Sequence, residues 1–305
     1  MNNHQAIEKL ITNFLKLNLP KLHAQSYHYS VLPAGKLFRP LLMQSIAKDL
    51  GANIESNHSL DHIMVALELH HAYTLIHDDL PSMDNDDMRR GKESCHKKFG
   101  EWKAILTGDG LLNLSYGALS NIDEHLALKT LKLFSSNLGP KGLIQGQILD
   151  LSQSATTIED ILEVHILKTS KLFEVSTIAG LWVARNNNSL RETIDFMKIG
   201  RKIGLIFQIL DDLGELLDEQ ITEHEKDINI FIRDDKKSFV LLHKYQSELE
   251  LLFNKYELNS TAHFFSNYFQ KSMSNIKKGQ SKIALHIKNI NLLDNLLTNS
   301  NSYFA

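Results

Sequence analysis

The chain has 305 residues, 43% hydrophobic and 23% charged, with a formal net charge of −3, which excludes wholesale disorder and nucleic-acid binding driven by bulk charge. Five prolines and fifteen glycines are too few for the many turns of a β-sandwich or barrel. A single cysteine, Cys95, rules out a disulfide framework within the chain and fits a reducing, cytoplasmic home.

Taken in order, the first residues, Met1 to Leu10, lack the apolar core of a secretory signal, and no run approaches the roughly 18 apolar residues of a spanning helix. No membrane partner is expected, in line with a mean hydropathy of −0.21. A break over 51–59 precedes Leu60 to Asp79, where Leu60, Ile63, Met64 and Leu67 recur at helical steps. Helical spacing returns over 105–119, 126–138, 158–183 and 191–218, with short breaks at 121–124, 139–140 and 186–189. No run of β-branched residues alternates as a strand does. A longer, charged break covers 220–237, and the Asn/Ser-rich stretch from Asn295 to Ser302 reads as a frayed end. Length alone suggests about two domains. The absence of any linker favours one all-α domain over 1–305, with ten or more helices.

Two acidic clusters stand out. In HDDLPSMDNDDMRRG, Asp78, Asp79, Asp84, Asp86 and Asp87 follow an apolar helix that Pro81 must stop. On a continuous helix Asp78 and Asp84 would point to different faces, but a turn after Pro81 can return Asp84 to Asp78. Adjacent carboxylates repel unless a cation neutralises them, and ligands that are all oxygen favour Mg²⁺ or a relative such as Mn²⁺. A solvated acidic helix end is the plainer alternative, although the helix dipole disfavours acids there. In FQILDDLGELLDE, Gln208, Asp211, Asp212 and Glu215 form one polar stripe opposite Ile206, Ile209, Leu210, Leu213 and Leu216. Alone this is also an ordinary amphipathic helix. Its likeness to the first cluster suggests two Asp-Asp helices facing each other above an apolar cleft, suited to a diphosphate head with a hydrocarbon tail.

These residues resemble the trans-isoprenyl diphosphate synthases, most closely the bacterial farnesyl diphosphate synthases (geranyltranstransferases), from about Gly35 to Ser238. The resemblance rests on Asp78-Asp79-Leu-Pro-Ser-Met-Asp84 with Arg89-Arg90-Gly91, and on CHKKFGEWKAILTGD ending at Asp109. Gly35-Lys36-Leu-Phe-Arg39-Pro40, Gly146-Gln147-Ile-Leu-Asp150-Leu151, Lys168-Thr169 and Phe207-Gln208-Ile-Leu-Asp211-Asp212 support it. It implies a helical bundle around a central cleft, a homodimer, and Mg-dependent condensation of isopentenyl diphosphate with an allylic diphosphate. Geranylgeranyl diphosphate synthases, class I terpene cyclases and non-catalytic synthase subunits are the alternatives.

By the same resemblance, Asp78 and Asp84 would ligate Mg²⁺ and Asp211 a further ion, with Glu215 standing where the family's second motif ends in Asp. Asp79, Asp212 and Lys168 join the catalytic set. Lys36, Arg39, His71 and Arg90 would hold isopentenyl diphosphate. Arg89, Lys168, Thr169, Gln208, Lys226 and Lys236 would hold the allylic diphosphate; guanidinium forks and lysine point charges suit phosphate oxygens. Tyr73 and Thr74 are the chain-length residues, an aromatic at Tyr73 going with C15 products in the family. Ala34 replaces a usual glycine, Leu37 a usual arginine, and the stretch Glu225–Ser238 departs from the family pattern. No elbow serine or Cys/His pair offers a nucleophile. Zinc at His70, His71 and His77 is disfavoured because one helix face cannot gather all three and no cysteine joins them.

Overall fold

The computed structural model describes residues 3–22, 24–185, 187–217, 221–299 and 304. The chain enters through α1 (Asn3–Asn18), α2 (Gln25–Val31) and α3 (Phe38–Asp49), then the long α4 (His58–Asp78). A small antiparallel pair, β1 (Met88–Arg89) and β2 (Lys92–Glu93), turns through Arg90 and Gly91 at φ 54° and 76°. Then come α5 (Cys95–Phe99), α6 (Glu101–Leu119), α7 (Glu124–Leu138), α8 (Leu143–Leu151) and α9 (Ile158–Val164). A π-helical turn over His165–Ser170 leads into α10 (Lys171–Ala184), followed by α11 (Leu190–Glu215) and α12 (Glu223–Ile228). The chain closes with α13 (Ile230–Lys255), α14 (Asn259–Lys278), α15 (Gln280–Ile283) and α16 (Ile290–Asn299).

Local chemistry sets the starts. The Asn57 side chain accepts from Leu60 N at 2.9 Å to cap α4, and Ser189 with Glu192 forms a capping box on α11. α4 is buried on every face, Ile63, Val65, Ala66, Leu67 and Leu69 all lying at 3% exposure or less, so it is a core helix rather than a one-faced one. It packs chiefly on α6, while α10 packs on α3 and α11, and α11 on α13. Among the described residues no helix is long and apolar enough to cross a membrane.

The all-α expectation holds, with four local corrections. The β1–β2 pair is a short strand pairing that no alternation announced. The run 158–183 is two α-helices joined by the π turn. The charged stretch expected as a break over 220–237 is largely helical from 223 on, residue 220 lying outside the described residues: Asn229 accepts from Phe231 N at 3.1 Å to start α13, Phe231 is buried, and a kink sits at Asp234 (φ −159°, ψ 91°). The expected frayed end is helical to Asn299, and residues 300–302 lie outside the described residues.

Candidate active site

The end of α4 folds as Pro81 requires. Leu80 N donates to His77 O at 3.1 Å, and Asp84 N donates to Asp78 O at 2.9 Å, returning Asp84 to Asp78. Asp78 is half-buried, and its pKa is pushed up to about 7, first by burial and then by Asp84 and Asp79, against the pull of Lys168 and Arg89. A carboxyl so placed beside a second acid is primed for a cation. Asp79 faces inward, buried, and accepts from Arg89 Nε at 2.8 Å; Arg89 Nη2 also donates to Asp86 Oδ2 at 2.9 Å. The β1–β2 hairpin therefore brings Arg89 back against the motif that precedes it.

Across the cleft, the π turn presents the consecutive Lys168 and Thr169. Its backbone lies against Gly146 of α8, where a Cβ would sit 2.2 Å from Lys168 N, so this approach requires glycine. Lys168 Nζ pairs with the buried Asp150 of α8. Thr169 Oγ1 donates to Gln208 Oε1 at 3.0 Å, and Gln208 Nε2 donates to Asp212 Oδ1 at 3.1 Å. Lys168 and Thr169 thus sit between the two acidic clusters, with Asp78 on one side and α11 on the other.

The acids of α11 divide. Asp211 is exposed; desolvation raises its pKa and Lys36 opposes that shift. Asp212 is buried, accepts from Ile230 N at 3.3 Å and lies 3.6 Å from His165 Nε2, with burial and Glu215 holding its pKa well above the usual range. Its geometry is that of a brace for the start of α13. Glu215 Oε2 accepts from Asn229 Nδ2 at 3.1 Å.

On the third side, Arg39 lies over the Phe173 ring at 4.6 Å, and burial lowers its pKa to about 10. Arg90 Nη2 stands 3.7 Å from Glu68 Oε1. His71 is held well below its ordinary pKa, first by burial and then by Arg39, Arg90 and Arg89, so its imidazole is neutral. Lys36 is exposed, 5.9 Å from the Tyr268 ring centroid.

A cavity of about 480 Å³ opens between these groups. Arg39, His71, Tyr73, Thr74, Asp78, Lys168, Thr169 and Gln208 line it, and Leu75, Leu112, Leu143 and Leu172 add apolar wall. Lys226 and Lys236 are exposed and do not line it. In the divergent stretch, Asp235 accepts from Asn289 N at 2.7 Å and Ser238 Oγ donates to Ile230 O at 2.8 Å, so these side chains serve packing. Sequence reasoning missed Glu68, hidden in an apolar run, and the Asp150–Lys168 pair. For Glu68 a signal existed: it precedes His71 by three residues and so shares its face.

Among the described residues no group of three or more His, Cys, Asp or Glu side chains forms a metal cage. Mg²⁺ is usually held by one or two carboxylates, with water and substrate phosphates completing the octahedron. Asp78 with the returned Asp84 is a donor set of that kind, so the residues present fit the ion.

The fold and this cleft define an all-helical prenyltransferase. Residues 20–264 match the polyprenyl synthetase family, and the chain belongs to it. It is 34% identical over 239 residues to farnesyl diphosphate synthase of Micrococcus luteus, covering 77% of this chain and 80% of that one. It is also 34% identical over 229 residues to geranylgeranyl pyrophosphate synthase 4 of Arabidopsis thaliana, covering 73% and 58%. Its structure is similar to that of a geranyltranstransferase from Thermotoga maritima, with a TM-score of 0.75, 30% identity and coverage of 90% and 100%. A geranyltransferase from Helicobacter pylori, solved in complex with magnesium and isoprenyl diphosphate, gives a TM-score of 0.74, 27% identity and coverage of 89% and 99%.

Proposed function

We propose that the protein condenses isopentenyl diphosphate with dimethylallyl or geranyl diphosphate to give farnesyl diphosphate, the whole chain acting as one domain. The observation that carries this reading is the cavity itself, which combines the charged Asp78, Lys168 and Arg39 with the apolar Leu75, Leu112, Leu143 and Leu172 and the ring of Tyr73 in one lining. Lys168, steadied by Asp150, with Thr169, Gln208 and Arg89 would bind and orient the allylic diphosphate. Arg39, Arg90, Lys36 and the neutral His71 would hold isopentenyl diphosphate. Asp78 and Asp84, with Asp211 and Glu215 from α11, would hold Mg²⁺, or Mn²⁺ in its place. When bound, the ion withdraws charge from the leaving diphosphate.

The allylic C–O bond then breaks, its electron pair leaving with the diphosphate. The isopentenyl double bond attacks the carbocation, and a proton passes to the released diphosphate. The leucine walls exclude water, which would otherwise capture the cation. We also propose a homodimer, for which the exposed Trp102, Ile105 and Leu106 of α6 offer an apolar face; sedimentation at monomer mass opposes it.

The test is incubation with geranyl diphosphate and Mg²⁺, with and without isopentenyl diphosphate. A C15 product only when both are present supports the reading. A C20 product points to a geranylgeranyl diphosphate synthase, which one plant relative is. A cyclised hydrocarbon from geranyl diphosphate alone, or no turnover, points to a cyclase or a non-catalytic subunit.

A further inference from the structure

We infer that Glu68 is a positioning residue of the isopentenyl diphosphate subsite formed by Arg39 and Arg90: its buried carboxylate stands 3.7 Å from the Arg90 guanidinium and sets the orientation of that fork. The inference rests on the proposed role of those two arginines.

Glu68 is 2% exposed, in the middle of the apolar α4, where an acid is costly unless cations compensate it. Burial raises its pKa, and Arg90, 3.7 Å away, then Arg39 and His4 oppose that shift. Each arginine has a second constraint. Arg39 lies on the Phe173 ring, and Arg90 packs on Gly35, where a Cβ would come 2.6 Å from Cζ. His4 Nε2 lies 2.7 Å from Gly35 O, so α1 secures the same loop. Arg90 disfavours the charge on Arg39, and a buried carboxylate facing Arg90 offsets that repulsion while leaving other N–H groups for phosphate oxygens. Among the described residues the buried Arg39 Nε has no hydrogen-bond partner, as expected of a fork awaiting an anion. A glutamine at 68 would keep the volume but lose the charge and turn N–H donors toward N–H donors.

The experiment titrates isopentenyl diphosphate calorimetrically into the full-length protein without divalent cation or allylic partner, and measures KM for both substrates. Glu68→Gln is expected to weaken isopentenyl diphosphate binding and raise its KM by about tenfold or more, while KM for geranyl diphosphate stays within about twofold. Glu68→Asp, which keeps the charge one methylene short, is expected to fall between. Should Glu68→Gln fail to fold, Glu68→Asp combined with Arg90→Lys provides the reading. Losses that do not simply add support the pairing, and purely additive losses overturn it. A folded Glu68→Gln that binds isopentenyl diphosphate like wild type, or loses both substrates equally, overturns the role. Wild-type protein that neither binds nor elongates isopentenyl diphosphate refutes the proposed function instead.

Discussion

Truncating Tyr73 to alanine tests whether that ring limits product length. Tyr73 is 7% exposed, lines the cleft, and lies five residues before Asp78, about 7.5 Å along the α4 axis. Among the described residues its hydroxyl makes no hydrogen bond, so the ring acts as a wall and not as an anchored polar group. Behind it sits the His70 ring, 4.6 Å away centroid to centroid, itself backed by Phe134 at 5.9 Å and Tyr116 at 6.2 Å. Removing the Tyr73 ring thus deepens the cleft by about one ring layer, close to the length of one isoprene unit, before the next aromatic layer stops the tail. The expected outcome is a shift from C15 to C20 and not to an open-ended series. The stability cost is about 3 kcal/mol, that of truncating a buried aromatic. Reversed-phase chromatography of dephosphorylated products, beside a melting curve for each variant, reads both effects. Wild-type product already at C20, or an active Tyr73→Ala enzyme that still stops at C15, would refute the reasoning.

Asp78→Ala and Asp211→Ala should each lower kcat by several orders of magnitude, and chelation of divalent cations should abolish turnover; near-normal kcat in Asp78→Ala would sink the mechanism. Glu215→Asp should remain active if that carboxylate supports the metal, whereas unchanged activity and Mg²⁺ dependence in Glu215→Ala would confine it to holding Asn229. His70 is buried, with its pKa pushed down to about 3 by burial. The unfolded chain, with His near 6.5, therefore takes up the proton first as pH falls, and stability that is complete above about 6.5 declines from there toward 3. Urea midpoints between pH 7 and 4 should fall less steeply in His70→Leu; an unchanged slope would count against it.

What the sequence could and could not disclose follows from the range of each interaction. The body of α4, its stop at Pro81 and the return of Asp84 are local, set by apolar spacing and proline sterics, and all could be read. Which carboxylate of each Asp pair turns inward could not, because adjacent residues differ only in which tertiary neighbour they meet: Arg89 for Asp79, the Ile230 amide for Asp212. The stretch 220–237 read as a loop because its charge masked two local facts, the Asn229 cap and the core side chain of Phe231. Glu68 escaped notice in an apolar run, since the cations around it lie on other elements, Arg39 on α3 and Arg90 in the β1–β2 turn.

The π turn has a consequence for how this chain tolerates insertion and deletion. Its i→i+5 bonding accommodates one residue more than an α-helix would, so His165–Ser170 acts as a phase shifter between α9 and α10. Deleting one residue there would let the turn relax to α geometry and rotate one flanking helix against the other by about 100°. Either Lys168 and Thr169 would swing away from the cleft, or the buried faces of α10, with Leu172 and Phe173, would swing out of the core. A length change that any exposed loop would absorb is therefore, at this one place, a choice between losing the site and losing the fold.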